Sequence, residues 1–217
     1  VGEAAEPLPP LYLPDMTMPT TERGRRSRER ILDAAADLIH LKGVAGTSVD
    51  DVLTRSGTGK SQFYHYFRDK EALVGAVLEY QSGRTVAEML PFLRELDSWE
   101  GIRRWFDAVL ELQETSGFRG GCPIGSLAAE TSESDEGFRA RLDTALRLKG
   151  EYLREGLAAM AGRGELRPEA DPVRLATFVT AVLQGALLMA SVEKRRDSLE
   201  AALGEAFDHL RSMAAKS

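Results

Sequence analysis

Apolar residues recur three and four positions apart in block after block of this chain, the spacing that builds amphipathic helices. Ile31, Leu32, Ala35, Leu38 and Ile39 predict a first helix ending near Lys42, with Gly43 as its stop. Ser48 is a good N-cap, and Val49, Val52 and Leu53 give the next short apolar face. Two glycines within Gly57-Thr58-Gly59 break that helix. A second short helix follows over 60–67, with Phe63, Tyr66 and Phe67 on one side. Lys60, Ser61, Gln62, Tyr64 and His65 fall on a largely polar, outward face. Two short helices around a glycine turn, the second showing donors outward, form a helix-turn-helix whose second helix enters a major groove.

Further helices follow. Asp69 is the expected N-cap of one carrying Leu73, Val74, Val77 and Leu78, ending near Leu90 before Pro91. Residues 98–115 form another, with Trp99, Ile102, Trp105, Phe106, Val109 and Leu112 inward. A short helix over 123–130 and a long one over 135–161 come next, the latter with Phe138, Leu142, Leu146, Leu153 and Leu157. Asp171-Pro172 marks a clear start, and the helix it opens is apolar nearly all round from 175 to 189. A helix apolar on every side needs partners on every side. With the last helix, 199–214, it is expected to pack on its own subunit and on a twin. Val182 and Met189 are its candidate dimerisation residues.

The resulting expectation is an all-α chain with three parts. Residues 1–22 hold five of the nine prolines and predict a disordered extension, although Leu8, Leu11, Tyr12 and Leu13 make an apolar cluster within it. Residues 23–69 form a three-helix DNA-binding head, and 70–217 a larger helical domain for effector binding and dimerisation. No apolar run is expected to reach the ~20 residues of a membrane span. One cysteine, Cys122, suits a reducing cytoplasm.

Charge changes the picture only through its distribution. The formal net charge is −6. Residues 20–70 carry ten Lys/Arg and seven Asp/Glu, net +3, leaving −9 on the rest. A basic module on an acidic body fits a DNA-binding head on a domain that does not bind DNA.

The stretch Thr47-Ser48-Val49-Asp50-Asp51-Val52, with Gly57, Lys60, Phe63-Tyr64-His65-Tyr66-Phe67 and Lys70-Glu71-Ala72-Leu73, resembles the DNA-binding domain of the tetracycline-repressor (TetR) family. The match covers about 50 residues from Arg28. One departure is Gly59, where family members often carry Ser at the recognition helix's N-cap. The resemblance implies a homodimeric, ligand-responsive repressor bound to a double-stranded, roughly palindromic operator and released by a small hydrophobic effector. A rival reading is a helical small-molecule or electrophile sensor whose head does not bind DNA specifically.

Candidate residues follow from these roles. Lys60, Ser61 and Gln62 can reach base edges; Gln suits adenine, Lys guanine or phosphate. Tyr64, His65, Thr47, Ser48 and Lys70 are candidates for phosphate. Arg25 and Arg26, within Arg23–Arg28, read either as an arm along DNA or as a solvated charge run at a helix start. For an effector, the aromatic residues Trp105, Phe106, Phe118, Phe138 and Phe178 supply apolar walls; Gln113, Tyr152 and Gln184 supply polar groups. Cys122, before a short helix and near Arg119, is either a reactive thiol or a small buried hydrophobe. Three histidines in separate helices show no metal-ligand spacing, and no nucleotide-binding glycine motif is present. Neither an enzyme nor a cofactor is expected.

Overall fold

The computed structural model describes residues 19, 21–131, 133 and 136–215. The expected extension, with its cluster Leu8–Leu13, lies almost wholly outside them. Among the described residues nine helices follow in order: α1 Glu22–Lys42, α2 Val49–Ser56, α3 Lys60–Tyr66, α4 Lys70–Leu93, α5 Trp99–Thr115, α6 Pro123–Thr131, α7 Glu136–Gly162, α8 Pro172–Glu193 and α9 Asp197–Ser212. The all-α expectation holds. Two compact units divide the chain after Gly83, inside α4; residue 70 is where that helix begins.

The first unit is a three-helix core extended by the start of α4. α1 packs on both α2 and α3, burying Ile31, Ala35 and Ile39 with Val52, Phe63 and Phe67. α1 starts at Glu22, with Thr21 accepting the Gly24 N–H at 3.1 Å as N-cap. The segment 23–28 is therefore a helix start and not an extended arm. Gly43, at φ 77°, closes α1 by donating to Ile39 O.

The second unit is built around α8, which packs against α7 and α9. Leu175, Val179, Leu183 and Leu187 point into the core. Contrary to expectation, α8 is long and apolar enough to cross a membrane by length and composition. Within the helical body 39% of that apolar window is buried. The outer half remains bare: Val173, Phe178, Leu188, Met189 and Val192 are 57, 40, 63, 49 and 73% exposed. Glycine permits two close approaches. A Cβ on Gly156 of α7 would lie 2.3 Å from Leu96 O, and one on Gly150 would lie 2.5 Å from Thr180 Oγ1 of α8. α4 runs through Pro91 to Leu93, past the predicted end. A proline in the last turn forfeits only its own N–H, so the helix closes one turn later.

Candidate functional site

The helix-turn-helix is assembled by local chemistry before packing completes it. Ser48 caps α2 with a full capping box: its Oγ accepts the Asp51 N–H at 3.1 Å, and Asp51 Oδ2 accepts the Ser48 N–H at 2.9 Å. The Ser48 hydroxyl also donates to Asp51 Oδ2 at 2.6 Å. These bonds from Ser48, side chain first, hold the Asp51 carboxyl below the usual aspartate range. α2 ends at Gly57 in the left-handed region, φ 63°, a conformation glycine adopts without penalty. Ser56 and Thr58 hydroxyls meet at 2.7 Å inside the turn.

Ser48→Ala is expected to lower the head's stability by about 1 kcal/mol, the usual worth of an N-cap, read as a lower denaturant midpoint. Asp51 adds a pH signature. Its folded pKa is lowered, so its contribution is complete above the unfolded aspartate value and is lost as pH falls through the folded one. Ser48→Ala should flatten that acid limb. An unchanged acid limb would reject this role for the cap.

α3 presents the chemistry. Phe63 is fully buried, and Tyr66 and Phe67 are buried beside it, with ring centroids of Phe63 and Phe67 5.5 Å apart. Locking those three rings turns Lys60, Ser61, Gln62, Tyr64 and His65 outward, and all five are exposed. Tyr64 is 58% exposed, although its ring meets the edge of Phe63 at 5.2 Å. Lys60 Nζ lies 3.3 Å from Asp50, an exposed pair of small worth. Gly59 has no side chain with which to cap α3, so only the other half of a capping box is made, Gln62 Oε1 accepting the Gly59 N–H at 3.4 Å.

The remaining head candidates sit differently. Thr47 is 2% exposed, its hydroxyl donating to Gly43 O at 2.8 Å and its N–H to Val44 O at 3.3 Å. Both donors are spent inside the turn, so Thr47 shapes it and has none left for a phosphate. Lys70 is half-buried, its ammonium on Val44 O at 2.5 Å. Arg25 and Arg26 are exposed on α1, each 2.8 Å from Glu22.

In the body, Trp105 and Phe106 are 1% exposed, their ring centroids 5.1 Å apart and the planes tilted by 42°. Phe118 is buried at φ 54°, its N–H donating to Gln113 O at 2.8 Å. Gln113 is 8% exposed, and its Oε1, like Trp105 Nε1, has no hydrogen-bond partner among the described residues. Cys122 is half-buried, its Sγ accepting the Gly125 N–H at 3.4 Å in the first turn of α6. A Cβ on Gly125 would sit 3.0 Å from Gln184 Oε1, so Cys122, Gly125 and Gln184 share one neighbourhood. Tyr152 is half-buried against the core.

Two aromatic candidates do not join this interior. Phe138 is half-buried, with the Arg141 guanidinium 5.5 Å from its ring. Phe178 is 40% exposed on α8, its ring centroid 4.9 Å from that of His209. Val182 is packed against the core rather than outward, whereas Met189 is half in solvent. The periodicity of α8 shows an all-apolar helix but not which flank its own subunit covers. One inward residue was missed altogether. Lys149 lies on the Leu142–Leu146–Leu153 face of α7, where its place in the apolar spacing could have flagged it. Burial holds its ammonium below the ordinary lysine pKa, partly offset by Cys122 and Glu88.

Comparison with known proteins matches this arrangement at both ends. Residues 31–77 match the family model "Bacterial regulatory proteins, tetR family", and residues 99–205 match "Tetracyclin repressor-like, C-terminal domain". An uncharacterized HTH-type transcriptional regulator from the lacX 3' region of Lactococcus lactis subsp. lactis is 31% identical over 178 residues, covering 81% of this chain and 89% of the relative. The HTH-type transcriptional repressor NemR of Escherichia coli K12 is 30% identical, covering 82% and 90%. The crystal structure of a TetR transcriptional regulator from Chloroflexus aurantiacus superposes with a TM-score of 0.76 at 26% identity, covering 91% of this chain and all of that one. With a capped helix-turn-helix, an outward polar recognition face and a helical body of matching design, the chain belongs to the TetR family of helix-turn-helix transcriptional regulators.

Proposed function

We propose that the protein is a homodimeric repressor released from a palindromic operator by a small, largely apolar molecule bound in its helical body. The observation that carries this reading is the outward set Lys60, Ser61, Gln62, Tyr64 and His65, held exposed by three buried rings. In a two-fold dimer the two copies of α3 enter successive major grooves about 34–36 Å apart. The bare outer flank of α8 supplies an apolar surface for the twin subunit. The unpartnered buried atoms Gln113 Oε1 and Trp105 Nε1 supply polar anchors for an effector. The effector acts by binding the DNA-free spacing more tightly than the DNA-bound one. The name of the related NemR, a repressor, favours repression over activation.

A footprint on DNA flanking the protein's own coding region, repeated across salt concentrations, tests this reading. Within the footprint, Gln62→Ala should relax base preference at one position by about 1–3 kcal/mol. Lys70→Ala should weaken binding evenly across sequences and flatten the salt slope. Equal, sequence-blind losses from both changes would remove Gln62 from base reading. A salt-independent, sequence-blind interaction in the wild type would reject the operator reading itself.

A further inference from the structure

Two buried polar atoms on α5 are left without partners, and together they describe a guest. Trp105 is 1% and Gln113 8% exposed, yet the indole Nε1–H and the amide Oε1 meet no hydrogen-bond partner among the described residues. A core position that only has to be filled is better served by phenylalanine at 105 and by methionine at 113, because a desolvated donor or acceptor left alone weakens the fold. Among the described residues of the second unit, Gln113 is the one buried polar side chain besides that indole, and no charged side chain is buried there. Its backbone is fixed without the amide: Gln113 O accepts the Phe118 N–H and the Ser116 hydroxyl, both at 2.8 Å. The amide itself has no part in closing the helix.

The two groups differ in kind and in place. An indole N–H only donates and so selects an acceptor, whereas the amide oxygen selects a donor. Both side chains belong to the face of α5 that also buries Ile102, Phe106 and Val109. Eight residues separate them, a rise of about 12 Å along the helix. No single small polar group reaches both ends.

Resting on the effector reading above, we infer that the effector is an elongated, uncharged molecule with a carbonyl oxygen at one end for Trp105 and a hydroxyl at the other for Gln113. A hydroxyl suits the Gln113 end because it both donates and accepts, and so serves the amide whichever way it is turned. The middle of the molecule is apolar, since Phe106 and Val109 lie on the face between the two anchors. The interior selects against charge. A carboxylate or phosphate there is desolvated with no buried cation to meet it, and Lys149, the inward cation of α7, is only half-buried. Selectivity follows from the unpaired groups: a guest that lacks either oxygen leaves one of them as unsatisfied as before.

The test titrates the full-length protein by calorimetry with hydroxyphenylcyclohexanone joined para on both rings, an apolar rod with a ketone and a phenol at its opposite ends. Three matched compounds accompany it: phenylcyclohexanone without the hydroxyl, para-cyclohexylphenol without the ketone, and the benzoate with a carboxylate in the hydroxyl's place. The first should bind about tenfold or more tightly than each of the others. Trp105→Phe should remove the advantage of the ketone and leave cyclohexylphenol unchanged. Gln113→Met should remove that of the hydroxyl and leave phenylcyclohexanone unchanged. A variant that merely loosens the body would weaken every compound alike, so the crossed pattern carries the assignment. Gln113→Met should also melt at a higher temperature than the wild type, because an unpaired buried acceptor has gone. Equal affinities across the neutral set, which would leave the two atoms to buried water, overturn this class and leave the effector reading standing. A tighter benzoate, or a lower melting point in Gln113→Met, has the same force. Binding by none of the compounds also overturns it; release of the footprinted operator, scored in parallel with apolar compounds of other shapes, then decides the effector reading by itself.

Discussion

Met189→Asp is expected to convert a dimer into monomers at micromolar concentration and to reduce operator affinity by about 10²–10⁴-fold. The reasoning starts from α8, whose inner flank fills the body and whose outer flank leaves Val173, Phe178, Leu188, Met189 and Val192 largely bare. An apolar strip of this kind left bare along a helix marks an association surface. A carboxylate within it has to be desolvated unpaired on pairing, and near a two-fold axis it faces its own copy. The DNA effect exceeds the protein-protein one, because linking two half-site readers makes the second binding event intramolecular. Met189 is about half exposed, so the monomer should still fold. Sedimentation gives the assembly state and circular dichroism the fold. A variant that remains dimeric with full operator affinity would move the interface off α8.

Gly156→Ala is expected to destabilise the body by about 1–3 kcal/mol or more. The added Cβ would stand 2.3 Å from Leu96 O, 2.5 Å from Leu96 C and 2.9 Å from Asp97 N. Each of those is backbone and cannot swing aside as a side-chain tip would. The corner between α4 and α5 is also tied to the end of α7 by Arg163, whose guanidinium bonds the Asp97 carboxylate at 3.3 Å. Pushing α7 outward therefore disturbs both. Gly204→Ala in α9, where a Cβ meets nothing within 4 Å, is the matched control. It should stabilise by about 0.5–1 kcal/mol through helix propensity alone. Urea midpoints for the two variants should move in opposite directions; similar shifts would discount the close approach.

The head was the most legible part of the chain, because its signals are local. Ser48, Gly57 and the three aromatic residues of α3 act through neighbours within a few positions, and spacing alone turned the polar set outward. The body was legible as helices but not as a site. Periodicity identified the inner side of α5 and α7, yet could not show that Phe178 faces out or that Val182 faces in. An all-apolar helix has no polar flank to orient it. Thr47 misled because a threonine before a helix reads as a donor, and only the fold shows both its donors turned back on the loop. Lys149 was overlooked because a cation in a charge-rich helix looks solvated until its neighbours are known.

Gln62 has two obligations, and they compete. In the free head its amide oxygen accepts the Gly59 N–H, one half of a capping box whose other half, a side-chain oxygen at position 59, Gly59 cannot supply. To read a base with the whole amide, Gln62 has to release that N–H, so part of the contact energy is returned to its own helix. The 3.4 Å bond is long, and the toll is correspondingly small. It nonetheless couples recognition to helix order: a sequence that fails to engage Gln62 leaves the helix capped, and one that engages it leaves the helix end for DNA to hold. Gly59→Ser, for which there is open space, would add the missing half of the box, an Oγ accepting the Gln62 backbone N–H, and so hold the helix end even while the Gln62 amide is engaged on DNA.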